Sequence, residues 1–296
     1  MSRELTDRLV QWGKNQQPVR AMILYSTRSG SKASVDALSD YDVILALTDI
    51  HPFWEDKRWL ENFGRVLVVY RNPIHPDDLY GLDTSAHIVQ YENGTKIDFT
   101  LFSVDMLKRI TADENLPEYL DIGYTILLDK DGLTNGLQSP TYRAHIPLPP
   151  VDAEYQDVVE EFLHEATYVA KHLWREDLVP AKSMLDGSMK VVLLRKMLEW
   201  RVEIDHDWAI KPGAYGKGLK KLVNTPIWAD LESTYVGADE EKNWEALFRL
   251  IELFRTVAIE VGDHLGFTYP LDLHGRAVRY LQKVRALERG AVDFTS

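Results

Sequence analysis

The stretch SDYDVILAL at residues 39–47 combines two acidic residues with an apolar run that is typical of a buried strand. Side chains two positions apart on a strand point to the same face, so Asp40 and Asp42 should present their carboxylates side by side, with Tyr41 on the opposite face. Two neighbouring carboxylates repel each other unless a cation lies between them, and oxygen ligands of this kind suit Mg²⁺. The pair therefore predicts a magnesium site, although Asp-x-Asp is also common in surface turns.

A third aspartate, Asp98, lies inside a second apolar strand, KIDFTLF at residues 96–102. Aspartate is depleted in strand interiors, and a buried carboxylate needs a partner such as a metal ion. Alternation leaves a second interpretation open, because Ile97, Phe99 and Leu101 would share the opposite face and Asp98 could then face outward or lie on an edge strand. Spacing by itself favours neither interpretation.

The first 145 residues alternate short apolar runs with turns and short helices. The runs are rich in β-branched and aromatic residues and end at Gly, Asn, Asp or Pro, which predicts strands. The predicted strands are residues 21–25, 43–47, 66–70, 87–91 and 96–102, and the predicted helices are residues 3–15, 54–62 and 103–110. We expect a mixed α/β domain with a small sheet, in which ENGT at residues 92–95 forms a tight hairpin turn.

The segment HIPLPPV at residues 145–151 has three prolines in four residues, so it can continue neither a helix nor a central strand. Beyond it, apolar residues recur at spacings of three and four, which predicts helices. The predicted helices are residues 153–175, 180–204, 241–265 and 272–288. The expected organisation is a first domain at 1–145, a linker at 146–152 and a helical bundle at 153–296, which is an α+β fold.

Composition excludes several classes of protein. The 296 residues include no cysteine, which rules out disulfides, cysteine-bound metals and thiol nucleophiles. The net charge of -12 argues against a nucleic-acid-binding surface and is compatible with a cationic ligand, or with acidic charge that only maintains solubility. A charged N-terminus and the lack of an apolar run of about 20 residues lead us to expect a cytoplasmic protein without a signal peptide or membrane span.

The loop after the first predicted strand carries small hydroxyl residues and one arginine. Backbone N–H groups beside Ser26 and Thr27 can cradle phosphate oxygens, and Arg28 adds a positively charged fork with a fixed shape. The alternative interpretation is a polar surface loop.

The order of these motifs resembles the nucleotidyltransferase superfamily that includes DNA polymerase β, in which Asp-x-Asp on one strand is joined by a third Asp on a later strand. The closer resemblance is to the aminoglycoside 6-adenylyltransferases, also called streptomycin adenylyltransferases, and it extends over nearly the whole chain. The matching segments include DYD at 40–42, WL at 59–60, FG at 63–64, KID at 96–98, LLDKD at 127–131, YVAK at 168–171, WEALF at 244–248 and YP at 269–270.

This resemblance implies a polymerase-β-like nucleotidyltransferase domain, followed by a helical domain that binds substrate. It also implies transfer of AMP from ATP to a hydroxyl of an aminoglycoside antibiotic, with release of pyrophosphate. Carried over by position, Asp40, Asp42 and Asp98 would bind two Mg²⁺ ions and the triphosphate. Asp98 would also help to remove the hydroxyl proton.

Further candidate residues follow from the same resemblance, in a cleft that we expect between the two domains. The candidates for phosphate contact are Ser26, Thr27, Arg28, Lys217 and Lys220. A polycationic drug needs carboxylates for its recognition. The candidates for drug contact are Glu161, Glu165, Glu176, Asp177 and Asp186. Each acidic candidate also fits a solvated helix face, and the two lysines also fit a solvated basic turn.

Two segments depart from the family pattern. The family has Gly-Ser where this chain has Ser26 and Thr27, and glycine would let the backbone approach phosphate more closely. VPAKSM at 179–184 stands where the family has an acidic residue within Ala-Ile-Asp-His, which bears on streptomycin as the substrate and not on adenylyl transfer.

Two other hypotheses stay open. One keeps the chemistry and changes the acceptor to another small molecule, a protein or an RNA end, although the acidic charge speaks against RNA. The other is a homologue that binds nucleotide or drug without turnover. For the aminoglycoside adenylyltransferase we expect a monomer or weak dimer that binds neither nucleic acid nor a membrane.

Overall fold

A computed structural model describes residues 2–29, 35–210 and 213–294. The chain divides into two compact units, Met1–Ala144 and His145–Ser296. The first unit contains a mixed sheet with short helices, and the second is helical, so the α+β class predicted from the sequence is confirmed.

The described residues of the first unit form a seven-stranded sheet. Its strands are β1 (Val19–Tyr25), β2 (Tyr41–Leu47), β3 (Val66–Arg71), β4 (His75–Pro76), β5 (Asp83–Tyr91), β6 (Lys96–Ser103) and β7 (Tyr124–Asp129). The order across the sheet is β3-β5-β6-β2-β1-β7, with β4 beside β5. The β2–β6 pair is parallel, and the other pairs are antiparallel.

The helices of this unit are α1 (Ser2–Asn15), α2 (His51–Glu55), α3 (Val104–Ala112) and α4 (Glu118–Asp121), with 3₁₀ turns at Ser26–Arg28 and Arg58–Phe63. They cover both faces of the central strands. On one face, Phe99 of β6 packs against the Trp59 ring at a centroid distance of 4.8 Å. On the other, Ile44 and Phe102 pack against Met106 of α3. Because both faces are apolar in the middle of the sheet, charged side chains are tolerated only near the strand ends.

The hairpin between β5 and β6 is confirmed. The Gly94 N–H donates to the Tyr91 carbonyl at 3.0 Å, and the Tyr91 N–H donates to the Thr95 carbonyl at 2.8 Å. Gly94 has a φ of +85°, a conformation that glycine adopts without the steric cost of a Cβ. This turn sets the register in which Val89 pairs with Ile97, and so fixes the position of β6.

Several features of the first unit differ from the expectation, among them the two-residue strand β4 and the short helix α4, which were not predicted. The predicted helix at 54–62 is instead α2 and a 3₁₀ turn, because Asp56 at the end of α2 adopts an extended conformation with ψ of 115°. Strand β7 was not predicted. It pairs with β1, about 100 residues earlier in the chain, so no local turn or partner marks it.

The second unit contains α5 (Asp152–Trp174), α6 (Leu178–Lys182), a π-helix (Ser183–Leu194), α7 (Arg195–Ile204), α8 (Leu219–Leu222), α9 (Thr225–Ser233), α10 (Glu240–Leu265) and α11 (Leu271–Ala286). At the centre of its core, the rings of Phe162 and Phe254 stack with centroids 3.7 Å apart. The helix predicted at 180–204 is thus three consecutive segments. Of the helices that the structure describes, none has the length and apolar character needed to cross a membrane.

Candidate active site

Strands β2 and β6 bring three aspartates together at one end of the sheet. The parallel register pairs Asp42 directly with Asp98. Asp40 immediately precedes β2, and Tyr41 is buried on the opposite face, as the alternation predicted. Strand β6 lies between β5 and β2, so the interpretation of Asp98 as an edge residue is wrong. The side chains of Asp40 and Asp98 are 39% and 23% exposed, which leaves both accessible to a ligand.

Lys96 lies among these carboxylates. Its ammonium Nζ donates to Asp40 Oδ2 at 2.6 Å and to Asp98 Oδ2 at 2.9 Å. Lys96 was not among the predicted site residues. The signal that would have found it is its spacing of two residues from Asp98, which places both side chains on the same face of β6.

One ammonium leaves part of the negative charge uncompensated. Burial and the neighbouring Asp98 carboxylate raise the pKa of Asp42 to about 6, although a hydrogen bond from the Ser26 hydroxyl opposes the rise. Burial also raises the pKa of Asp98, with Lys96 opposing. Asp98 Oδ1 is buried without a hydrogen-bond partner among the described residues. A cation at this place would relieve both the repulsion and the desolvation of the carboxylates.

In this conformation the three aspartates are only partly arranged to bind a metal ion. Within the described ranges, no three His, Cys, Asp or Glu side chains are already arranged around one ion position. Asp40 and Asp98 converge on the Lys96 ammonium instead. The donor set is nevertheless of the kind that Mg²⁺ prefers, since it consists of carboxylate oxygens on adjacent strands. Asp40, Asp42 and Asp98 therefore stay predicted ligands of Mg²⁺, for which the Lys96 ammonium would have to move.

The loop after β1 reaches the carboxylates through Ser26, whose hydroxyl is hydrogen-bonded to Asp42. Ser26 has a φ of +67°, in the left-handed region that favours glycine. The resemblance stated from the sequence leads to an expectation of glycine at this position, and the positive φ of Ser26 is a conformation that glycine adopts more easily than serine. The side chain of Thr27, a predicted phosphate contact, lies outside the described residues.

Arg28 holds the chain that leads into Asp40. Its Nη2 donates to the Ser39 carbonyl at 2.6 Å, and its Nε donates to the Asp40 carbonyl at 3.0 Å. The guanidinium also lies 3.9 Å from the centre of the Tyr41 ring. These contacts give Arg28 a structural role, and its contact with phosphate stays a prediction.

Two substitutions at Ser26 separate its backbone strain from its hydrogen bond. Both Ser26→Gly and Ser26→Ala remove the hydroxyl, but Gly is free of the steric cost of a positive φ. We expect Ser26→Gly to be more stable than Ser26→Ala by about 1 kcal/mol in urea unfolding. Equal stabilities, or a more stable alanine variant, would show that the left-handed conformation at this position is not strained.

Tyr25 borders the site on the other side of Asp42, its register partner. Its hydroxyl and Thr100 Oγ1 are 3.2 Å apart, and burial raises the pKa of Tyr25 to about 12. The phenol therefore stays neutral, and Tyr25 adds no negative charge beside Asp42 at physiological pH.

The predicted lysines of the second unit lie on its surface. Lys217 and Lys220 are both exposed. Lys220 lies within the short helix α8, which was expected at this point in the chain. Its ammonium is 3.1 Å from the Glu232 carboxylate and 5.2 Å from the centre of the Trp228 ring. A role in phosphate contact is untested for both lysines.

The five acidic candidates of the second unit are not gathered in one place. Glu161 lines a cavity of about 900 Å³ together with Asp157, Glu160 and Asp272. Glu165 is half-buried on the same helix and does not line that cavity. The other three pair with basic side chains: Glu176 with Arg289 at 3.8 Å, Asp177 with His172 at 3.7 Å, and Asp186 with Lys182 at 2.7 Å and Lys190 at 2.6 Å. Of the five, Glu161 is thus the one that faces this open acidic space.

A mixed sheet that carries Asp-x-Asp at one strand and a third aspartate on the adjacent parallel strand has the architecture of a nucleotidyltransferase. Residues 1–284 match the sequence model of streptomycin adenylyltransferase, and the chain belongs to that family of enzymes. The resemblance stated from the sequence is therefore confirmed.

Individual relatives match almost end to end. Aminoglycoside 6-adenylyltransferase of Bacillus subtilis (strain 168) is 27% identical over 272 residues, which cover 90% of this chain and 92% of the relative. The protein of the same name from Campylobacter jejuni is 26% identical over 273 residues, 91% of each chain. The solved structure of an aminoglycoside 6-adenyltransferase from Bacillus subtilis has 24% identity and a TM-score of 0.47, and the match covers 97% of this chain and 99% of that one.

Proposed function

We propose that this protein transfers AMP from ATP to a hydroxyl of an aminoglycoside antibiotic in a magnesium-dependent reaction that releases pyrophosphate. The observation that carries the proposal is the direct pairing of Asp42 with Asp98, beside Asp40, in a member of this family. The relatives are named for aminoglycosides, and streptomycin, which gives the family its name, is the first acceptor to test.

Asp40, Asp42 and Asp98 would hold the Mg²⁺ ions, which would neutralise the triphosphate and acidify the drug hydroxyl. Asp98 also helps to remove the hydroxyl proton. The hydroxyl oxygen forms a bond to the α-phosphorus of ATP. The bond from the α-phosphorus to the pyrophosphate oxygen breaks in the same displacement.

The remaining residues position these groups. The Ser26 hydroxyl orients the Asp42 carboxylate, and Arg28 fixes the backbone before Asp40. In the second unit, the cavity is lined by Glu161 and three further carboxylates, of which Asp272 pairs with Arg276 at 3.2 Å. The excess of negative charge favours the amino and guanidinium groups of a polycation. The other four acidic candidates and the two lysines stay proposed contacts of the drug and of the triphosphate.

The deciding experiment measures pyrophosphate release from Mg·ATP with streptomycin, other aminoglycosides and lincosamides, each tested alone. We expect release that depends on one drug class, and that is lost when Mg²⁺ is chelated. The Asp40→Ala variant serves as the inactive control. ATP binding without release for any drug would reject the drug as acceptor, and would favour another acceptor or a binding protein without turnover.

A further inference from the structure

The Lys96 ammonium uses the carboxylate oxygens that a bridging metal ion would need. It bonds Oδ2 of Asp40 and Oδ2 of Asp98 at the same time, at 2.6 Å and 2.9 Å. The Lys96 side chain is 30% exposed, so its ammonium can leave the pair toward solvent. Two carboxylates are therefore already partly neutralised before any ion binds.

We propose that Lys96 is a resident counter-ion that competes with a divalent cation for Asp40 and Asp98. A metal ion would bridge this pair only after the ammonium withdraws. The inference rests on the proposed function, which supplies the requirement for a metal. It assigns to Lys96 a positioning role in metal binding that is separate from the roles of the three aspartates.

Electrostatic repulsion prevents the Lys96 ammonium and a divalent ion from occupying the site between Asp40 and Asp98 at the same time. An ammonium held at hydrogen-bond distance from both carboxylates would lie only a few ångströms from a bridging divalent ion. Repulsion between such charges at that distance exceeds thermal energy several-fold even with substantial screening. A lysine can yield because its ammonium sits on a flexible four-carbon stem, whereas a backbone ligand could not move away as freely.

This competition has a direct consequence for the order of binding. The free protein would bind divalent ions weakly, because each ion must first displace the ammonium. An ion that arrives as the complex with ATP would bring further phosphate oxygens as ligands, which help to offset that displacement. Lys96 would thus favour the metal–nucleotide complex over the free ion.

The test measures Mn²⁺ binding to the nucleotide-free protein, with the electron paramagnetic resonance signal of unbound Mn²⁺ as the readout. Lys96→Met should lower the Kd for Mn²⁺ by about tenfold or more relative to the wild type. Lys96→Arg keeps a cation at the pair and should stay close to the wild-type affinity. Combining Lys96→Met with Asp40→Asn should abolish the gain in Mn²⁺ affinity, because one of the two carboxylates that would bind the ion is then missing.

The matched control is Lys108→Met. Lys108 pairs with Asp105 at 3.0 Å on the surface of α3, and its replacement changes the net charge by the same amount. Its affinity for Mn²⁺ should stay within about twofold of the wild type, because solvent screens an exposed charge away from the site. If Lys96→Met binds Mn²⁺ no more tightly than Lys108→Met, or if none of these proteins binds Mn²⁺, the proposal is overturned.

Three remaining outcomes are also decisive. If Lys96→Met does not fold without metal, saturating Mn²⁺ should restore its far-ultraviolet circular dichroism, because the ion replaces the ammonium between the carboxylates. Failure to restore the spectrum would overturn the proposal. Drug-dependent pyrophosphate release with unchanged Mn²⁺ affinity in Lys96→Met would reject the counter-ion and keep adenylyl transfer. Tighter Mn²⁺ binding by Lys96→Met, with no drug-dependent pyrophosphate release from the wild type, would keep the counter-ion and reject adenylyl transfer to the drug.

Discussion

Asp42→Asn is expected to abolish drug-dependent pyrophosphate release and, at pH 8, to raise the free energy of unfolding. Loss of a carboxylate ligand to the metal should lower the rate by about 10³-fold or more, since metal stabilisation of the transition state amounts to several kcal/mol. The gain in stability comes from removing a carboxylate whose charge is desolvated by burial and also repels Asp98 across the two strands.

The pH dependence of this gain follows from the pKa of Asp42, which is raised from an ordinary value of 3.8 to about 6 in the folded protein. The folded state therefore holds the Asp42 proton more tightly than the unfolded state. The resulting stabilisation is present below pH 3.8 and is lost as the pH rises to about 6. The full shift corresponds to about 3 kcal/mol, and partial access of solvent reduces this to about 1–2 kcal/mol.

The measurement is urea unfolding of the wild type and of Asp42→Asn at pH 8 and at pH 4. The variant should be more stable at pH 8, and the difference should shrink at pH 4, where the wild-type carboxyl is protonated. Asp83→Asn, at an exposed position of β5, changes the charge equally and should show no such pH-dependent gain. Equal stability of Asp42→Asn and the wild type at pH 8 would show that the Asp42 carboxylate is not destabilising.

Phe254→Ala is expected to cause the largest loss of stability in the second unit. Phe254 is fully buried and stacks face to face on Phe162, with ring planes 7° apart. Truncation removes most of the buried apolar surface and leaves a cavity, which together cost about 3–5 kcal/mol. This is a large share of the roughly 5–15 kcal/mol that stabilises a typical domain.

Urea unfolding followed by circular dichroism tests this loss. The control is Phe294→Ala, because Phe294 is 37% exposed and contacts the Tyr280 ring near the end of the chain. Its loss should stay below about 1 kcal/mol, as for most surface substitutions. A similar loss of stability in the two variants would mean that the stacked rings of Phe162 and Phe254 are not at the centre of the core.

The central strands could be predicted from the sequence because their apolar runs are long and their ends carry Asn, Gly or Asp. The hairpin at 92–95 could also be predicted, because Gly94 supplies the positive φ that a tight turn requires. Strand β7 was missed because its partner β1 is distant in sequence. The π-helix over 183–194 was taken for regular helix, because apolar residues at helical spacing do not reveal a local change in hydrogen bonding.

The three aspartates of the site could be predicted from the sequence, whereas the contacts of its basic residues could not. Strand alternation placed Asp40 and Asp42 on one face, but the sequence could not tell whether Asp98 would lie beside them, because that depends on the pairing of β6 with β2. The partners of Arg28 are backbone carbonyls, which any sequence offers. By contrast, Lys182 and Lys190 each lie four residues from Asp186, so the helical spacing of this segment would have indicated that they neutralise it.

The register of β2 and β6 also bears on how faithfully the chain folds. These strands are parallel and about 50 residues apart, so no hairpin guides their association. A slip of one residue would turn Lys96, Asp98 and Thr100 into the aromatic layer of Trp59 and Phe63, and would cost several kcal/mol for each buried ion. The same charged side chains that form the candidate site thus also oppose a wrong register between these two strands.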